Sequence, residues 1–366
     1  MIEKLHPLLK FNLVLVLLFL VFGGLYLAAT FLIPLAFAGI LAMLMAPFCV
    51  KLESWGVHNG IASFLCILLL LLFFAGIAGL LSTQIANFRD DLPKIEQHLN
   101  KQLQSIQELM HERFGISPEQ QKQAVKDGSP EDGKVGSMIV SFLNSLTGIL
   151  ANVVLVLVYM FLLLYYRSRF PTFITKVVSE HQKERARHII AESSRVAQQY
   201  MIGRGILILI LTVCYSIGLA LAGLYNAIFL SLIAALLSII PYIGNMISLA
   251  LFLLMAMAQG GGVSLYITIF IVVILTQFIE SYLLQPLIVG HRVDIHPFFT
   301  VVIIIIGWLL WGIPGMILAI PLLGMVKIVF SHIKVLEPYA YLIGDTRDTN
   351  DAKPSERIKH WFGISS

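Results

Sequence analysis

The chain has 366 residues, of which 58% are hydrophobic and only 13% charged, with a formal net charge of +4 and a mean hydropathy of +0.86. A soluble domain holds about 45–50% apolar and about 25% charged residues. That balance excludes an ordinary soluble domain and indicates a polytopic membrane protein.

Eight apolar stretches follow in chain order: Phe11–Thr30, Phe31–Val50, Ile61–Thr83, Leu143–Tyr166, Ile206–Leu224, Ala227–Ala258, Val263–Leu284 and Phe298–Phe330. Each approaches or exceeds the roughly 20 residues that cross a bilayer core as a helix. Lys4 and Lys10 ahead of the first stretch imitate a secretory signal. The run is too long for one and a second span follows at once, so a retained first helix is expected. Cys49, Cys66 and Cys214 fall inside apolar segments without a Cys-x-x-Cys pair, which suggests neither a disulfide framework nor a zinc site.

Between the third and fourth spans, residues 85–137 carry seven basic and nine acidic side chains. Within them Leu92, Ile95, Leu99, Leu103, Ile106, Met110 and Phe114 recur at helical spacing, giving an amphipathic helix that needs a partner surface. A polar, Gly- and Pro-containing linker follows it. The next loop, Arg167–Arg204, holds eight Lys or Arg against three Glu. By the positive-inside rule it is cytoplasmic. Counting spans from it places both termini in the cytoplasm and the segment around 85–137 outside. Apolar residues among its charges, such as Phe170, Ile174 and Val177, suit a helix at the lipid headgroups. Nucleic-acid binding is a poor explanation for those charges.

The run Ala227–Ala258 is 32 residues, roughly 48 Å as a helix against an apolar core of about 30 Å. "SIIPYIGNMIS" interrupts it. Pro241 cannot donate to the carbonyl of Leu237, while Gly244 and Asn245 tolerate turn conformations. Two short arms folded into a re-entrant hairpin are expected, with the tip buried in protein or facing water. The pattern recurs: Phe298–Trp311, the breaker "GIPG" at Gly312–Gly315, and Met316–Phe330. A full-length helix precedes each broken segment, so the second unit is inverted relative to the first, as in secondary transporters. Two long kinked spanning helices remain the alternative.

"YMIGRG", "GLYNAIFLSLIAALLSIIPYIGN", "QFIESYLLQPLIVGHRVDIHP" and "GIPGMILAIP" resemble the autoinducer-2 exporter family of bacterial membrane proteins, most densely from Tyr200 to Pro321. The resemblance implies an exporter in the bacterial cytoplasmic membrane, a homopentamer of independent protomers, and an elevator movement with two hairpins at the substrate site. Members are also described as cation–proton exchangers.

Glu280 is the only acidic residue inside an expected span, flanked by Gln277 and Gln285 and followed by Pro286. A carboxylate in hydrocarbon costs at least a few kcal/mol, so it must face protein or water. It serves either substrate binding and ion coupling or a satisfied buried network. The expected substrate-binding set is Pro241, Gly244, Asn245, Gln277, Glu280, Gln285, Gly312, Pro314 and Gly315, with Glu280 the coupling-ion candidate. Arg204 and Asp294 are read as interfacial anchors or a domain-locking pair. No His-Glu-x-x-His, Gly-x-Ser-x-Gly or Walker motif occurs, so no enzyme activity, cofactor or metal is expected.

The expected architecture is an all-α integral membrane protein with about six full transmembrane helices, two opposed re-entrant hairpins and an amphipathic extracytoplasmic segment. Its regions are 1–84, 85–142, 143–204, the inverted repeat 205–330 and the tail 331–366. The expected function is gradient-coupled export of a small polar molecule, with autoinducer-2 as a cargo candidate. The bilayer, that substrate and further copies of the chain are its partners. Cation/proton antiport and a non-transporting scaffold or sensor acting through the external segment are the alternatives.

Overall fold

The computed structural model describes residues 7–79, 82, 97, 150–289 and 295–344. Their elements are α1 (Pro7–Leu27), α2 (Ala29–Ser54), α3 (Asn59–Gly79), α4 (Leu150–Tyr165), α5 (Arg169–Val177), a 3-10 turn (Glu180–Gln182) and α6 (Lys183–Leu221). Then come α7 (Ala227–Leu237), α8 (Ile243–Ala258), α9 (Val263–Ile279), a π-helical segment (Glu280–Val289), α10 (Pro297–Ser331) and α11 (Glu337–Ile343). Among the described residues there is no strand, only an isolated bridge between Ile295 and Gly344. Among the described residues five helices are, by length and composition, long and apolar enough to cross a membrane, or six if α4 and α5 form one span. The amphipathic stripe expected over Leu92–Phe114 lies outside the described residues.

Large apolar side chains point outward, including Phe19, Leu209 and Leu221 at 79%, 68% and 84% exposure. Such a surface is unsuited to water and matched to lipid. Inside, the helices approach on small residues, because lipid offers helices no hydrophobic gain for associating and contact depends on close fit. The chain divides into two compact units, one of residues 1–167 and 201–289, the other of 168–200 and 290–366.

In the first unit, Ala38, Ala42, Met45 and Cys49 of α2 face Ala62, Cys66, Ile67 and Leu70 of α3 and Met160 and Leu164 of α4. At one end of this bundle Arg167 pairs with Glu53 and donates to Asn59 Oδ1 at 3.0 Å, while Asn59 donates to the Tyr165 carbonyl. A second core gathers Leu211, Tyr215 and Leu219 of α6 with Leu230, Ala234 and Ala235 of α7, Phe252, Met255 and Ala256 of α8 and Ile269 of α9.

Two features differ from the expectation. The basic segment does not end before the fifth span: from Lys183 it continues as α6 for 39 residues, roughly 58 Å and nearly twice an apolar core. No proline interrupts it, and Gly203 and Gly205 cost only about 1 kcal/mol each against alanine. The expected helix Val263–Leu284 changes to π-helix at Glu280. Pro286 lacks the amide that would continue an α-helical ladder, a physical reason for a register change here.

In the second unit α10 doubles back at Gly312, whose φ of +62° and ψ of −140° are non-helical. Residues eight apart in a straight helix lie about 12 Å apart. Here a Cβ added to Gly315 would sit 2.0 Å from the Gly307 carbonyl oxygen, so the two backbones touch. His296 caps the first arm, its ring Nδ1 accepting from the Phe298 amide at 3.2 Å, and Pro297 begins the helix.

Candidate functional site

The break between α7 and α8 is built around Tyr242. Its φ of +63° and ψ of −54°, with the Ile243 amide donating to the Pro241 carbonyl at 2.7 Å, define a γ-turn of the rare, strained hand. Proline sets the approach, and the chain reverses within a few residues. Gly244 then lies so close to the first arm that a Cβ would be 1.9 Å from the Leu237 carbonyl oxygen. Farther along, the Ser248 hydroxyl reaches the Gly244 carbonyl at 2.8 Å and approaches that of Ala234 at 3.5 Å. Strain of this kind in a non-glycine residue is concentrated at functional sites.

Gln259 ties the other ends of the two arms together. Its side-chain oxygen accepts from the Tyr225 amide at 2.9 Å, and its nitrogen donates to the Gly223 carbonyl at 3.0 Å. The residues entering α7 and leaving α8 are thus side by side, so the run starts and finishes at one end of the unit. Replacing Gln259 by leucine removes two exposed hydrogen bonds worth about 1 kcal/mol each. The expected result is a melting temperature lower by a few degrees in detergent, with the same oligomer by size exclusion, checked by intrinsic fluorescence.

The short connection 259–262 sets the register of α8 against α9. Asn245, in the first turn of α8, comes level with Gln277, near the end of α9, and its Nδ2 donates to Gln277 Oε1 at 2.5 Å. Gln277 Nε2 in turn lies 3.4 Å from Glu280 Oε2 and 3.3 Å from the Ser281 hydroxyl. Glu280 is 2% exposed. Its Oε1 is 3.9 Å from Arg204 Nη1, and Gln285 is also within hydrogen-bonding reach of the carboxylate. A buried charge requires such company, because the Coulomb attraction of a pair offsets desolvation only when further hydrogen bonds satisfy the remaining lone pairs.

Of the expected set, Asn245, Gln277, Glu280 and Gln285 come together. Pro241 and Gly244 shape the turn that delivers Asn245. Gly312, Pro314 and Gly315 form the break in α10, within the second unit. Arg204, expected as an interfacial anchor or a domain-locking partner of Asp294, stands as the counter-ion of Glu280, whereas Asp294 lies outside the described residues. The available signal was a lone cation between two glycines next to the apolar run Ile206–Leu224, counted among the loop's basic residues rather than matched to the one carboxylate in a span. Ser281 was not singled out either.

A part-buried chain of donors and acceptors ending in an ion pair with the buried Glu280, held beside a broken helix in an apolar helical bundle, is the construction of a membrane carrier. The chain belongs to the AI-2E transporter family, whose sequence pattern matches residues 15–334. It is 28% identical over 348 residues to YueF of Bacillus subtilis (strain 168), covering 90% of each chain. It is 25% identical over 332 residues to YhhT of Escherichia coli (strain K12), covering 90% of this chain and 93% of the relative. Both relatives bear the name "Putative transport protein". A shorter match, 35% identical over 133 residues, joins 36% of this chain to 37% of YrrI of Bacillus subtilis (strain 168).

Proposed function

We propose that the protein is a secondary transporter of the bacterial cytoplasmic membrane that exports a small polar molecule, with both termini in the cytoplasm. Asn245, Gln277, Glu280 and Arg204 bind the cargo or its coupling ion. The observation that carries this reading is the part-buried relay from Asn245 through the buried Glu280 to Arg204. It offers amide donors and acceptors to a hydroxyl-rich molecule, and a carboxylate to a proton or cation. Autoinducer-2 is the first cargo to test, since it is the export substrate after which the family is named.

In this reading α7 with α8, and the two arms of α10, are re-entrant hairpins entered from opposite sides of the membrane. The fold-back at Gly244 and Gly315 and the Gln259 clasp support hairpins over kinked full crossings. Gradient coupling, an elevator movement and a homopentameric assembly belong to the same proposal through the family resemblance. A second reading, cation/proton antiport, is favoured by Glu280 itself, because a buried carboxylate with oxygen-bearing neighbours can exchange one cation for another.

Purified protein in proteoliposomes separates the two. With autoinducer-2 on one side, and with imposed proton or sodium gradients, the first reading predicts saturable movement of the molecule. Cation flux alone would favour antiport. No protein-dependent flux of either kind would overturn both, and would return attention to a scaffold acting through residues 90–135.

A further inference from the structure

The second unit brings together three side chains that neither the transport reading nor the sequence motifs account for. His188 and Glu192 stand one turn apart on α6, and His332 caps the C-terminus of α10. His188 Nδ1 lies 3.2 Å from His332 Nε2, and Glu192 Oε2 lies 3.5 Å and 3.6 Å from those two nitrogens.

Hydrogen bonding fixes what these atoms can offer. His332 Nδ1 is 2.9 Å from the Ile328 carbonyl, which can only accept, so Nδ1 carries the proton and neutral His332 presents a lone pair at Nε2. A backbone carbonyl holding the far nitrogen in this way is the usual outer-shell arrangement of a metal-binding histidine. If protons alone hold the cluster, the His188 Nδ1 proton goes to His332 Nε2. Glu192 Oε2 then has no donor, and it is a buried oxygen without a hydrogen-bond partner. A cation at the centre satisfies all three atoms at once.

The triangle also has the right size. Ligands about 2.0–2.1 Å from a tetrahedral ion lie about 3.3–3.4 Å apart, against edges of 3.2, 3.5 and 3.6 Å here. An ion about 2.1 Å from each corner sits about 0.7 Å above their plane, close to a tetrahedral height, leaving a fourth position for water. Calcium and magnesium prefer all-oxygen sites with more ligands. Two imidazoles and one carboxylate suit zinc and its first-row neighbours.

We propose that His188, Glu192 and His332 form a binding site for a divalent transition metal ion, of which Zn2+ fits best, joining α6 to the end of α10 within the second unit. The site is separate from the relay around Glu280, and the proposal stands whether or not the protein transports autoinducer-2. Its sequence signature is weak because His332 is far along the chain from the His188–Glu192 pair and no compact zinc motif results.

The test uses the full-length chain in detergent, with the affinity tag removed and metals stripped. Co2+ titration should produce the visible absorption bands of a four- or five-coordinate site, saturating at one ion per chain and displaced by Zn2+. Zn2+ should also raise the melting temperature. Glu192→Gln, which keeps the shape, and His332→Ala should each weaken binding by more than the roughly 10–100-fold that loss of an outer-shell partner costs. His181→Ala, on the neighbouring 3-10 turn, should leave binding unchanged. Absence of stoichiometric Co2+ binding to the wild-type chain overturns the proposal. So does binding that both Glu192→Gln and His332→Ala leave intact.

Discussion

Gly244→Ala and Gly315→Ala are each expected to abolish transport and most of the properly folded protein, whereas Gly23→Ala is expected to be silent. The added Cβ would lie 1.9 Å from the Leu237 carbonyl oxygen at Gly244 and 2.0 Å from that of Gly307 at Gly315. Nothing lies within 4 Å at Gly23. Overpacking that neighbouring side chains can absorb costs about 1–3 kcal/mol. Here the obstacle is backbone on the opposite arm of a fold-back, so relief requires the arms to part, and the cost should exceed about 3 kcal/mol, more than a hundredfold in the folding equilibrium. Fluorescence-detected size exclusion of the three variants measures the folded yield, and flux follows for whatever remains. Equal behaviour at the three positions would mean that the touching backbones are not needed.

The second large effect concerns the buried pair. Arg204→Met should cost about 3–5 kcal/mol, because it leaves the Glu280 carboxylate buried without a counter-charge. Glu280→Gln should cost less than Arg204→Met, since the amide retains most of the carboxylate's shape and the Arg204 guanidinium left without its partner is less deeply buried than the carboxylate. The double variant Arg204→Met/Glu280→Gln should therefore recover the folded yield lost in Arg204→Met yet remain inactive. Any residual flux in Glu280→Gln should lose its dependence on pH. Wild-type flux and pH profile in the double variant would show that the pair serves only packing.

Much of this architecture is legible in the sequence because it rests on lengths and breakers. A run of 32 apolar residues with Pro241, Gly244 and Asn245 at its centre is too long for one crossing, and the structure turns it back at Tyr242. Gly312 and Gly315 play the corresponding part in α10. Asn245, Gln277, Glu280 and Gln285 could be selected as polar groups in apolar surroundings, where each needs a partner. Their pairing could not be selected, because it depends on the register that 259–262 imposes. Arg204 was hidden for a different reason. Its charge resembles those of the loop before it, and only the continuity of α6 carries it to Glu280. The contact between Gly307 and Gly315 is similarly silent in a pattern of hydrophobicity, since a glycine required for close approach and one in open space read alike.

The most direct measurement of the central claim is the sidedness of the two loops that bound the hairpins. Single cysteines at 262 and 293, in a functional cysteine-free background, are probed in intact cells with a membrane-impermeant thiol reagent. Gly262 suits the probe, since a Cβ there meets nothing within 4 Å, whereas one at Gly261 would press on Leu265 and the Ala256 carbonyl. Opposed re-entrant hairpins predict labelling at 262 and none at 293 until the cells are permeabilised. Labelling at 293 with protection at 262 would mean that both interrupted runs cross the membrane, and would contradict the inverted repeat on which the proposed transport site rests.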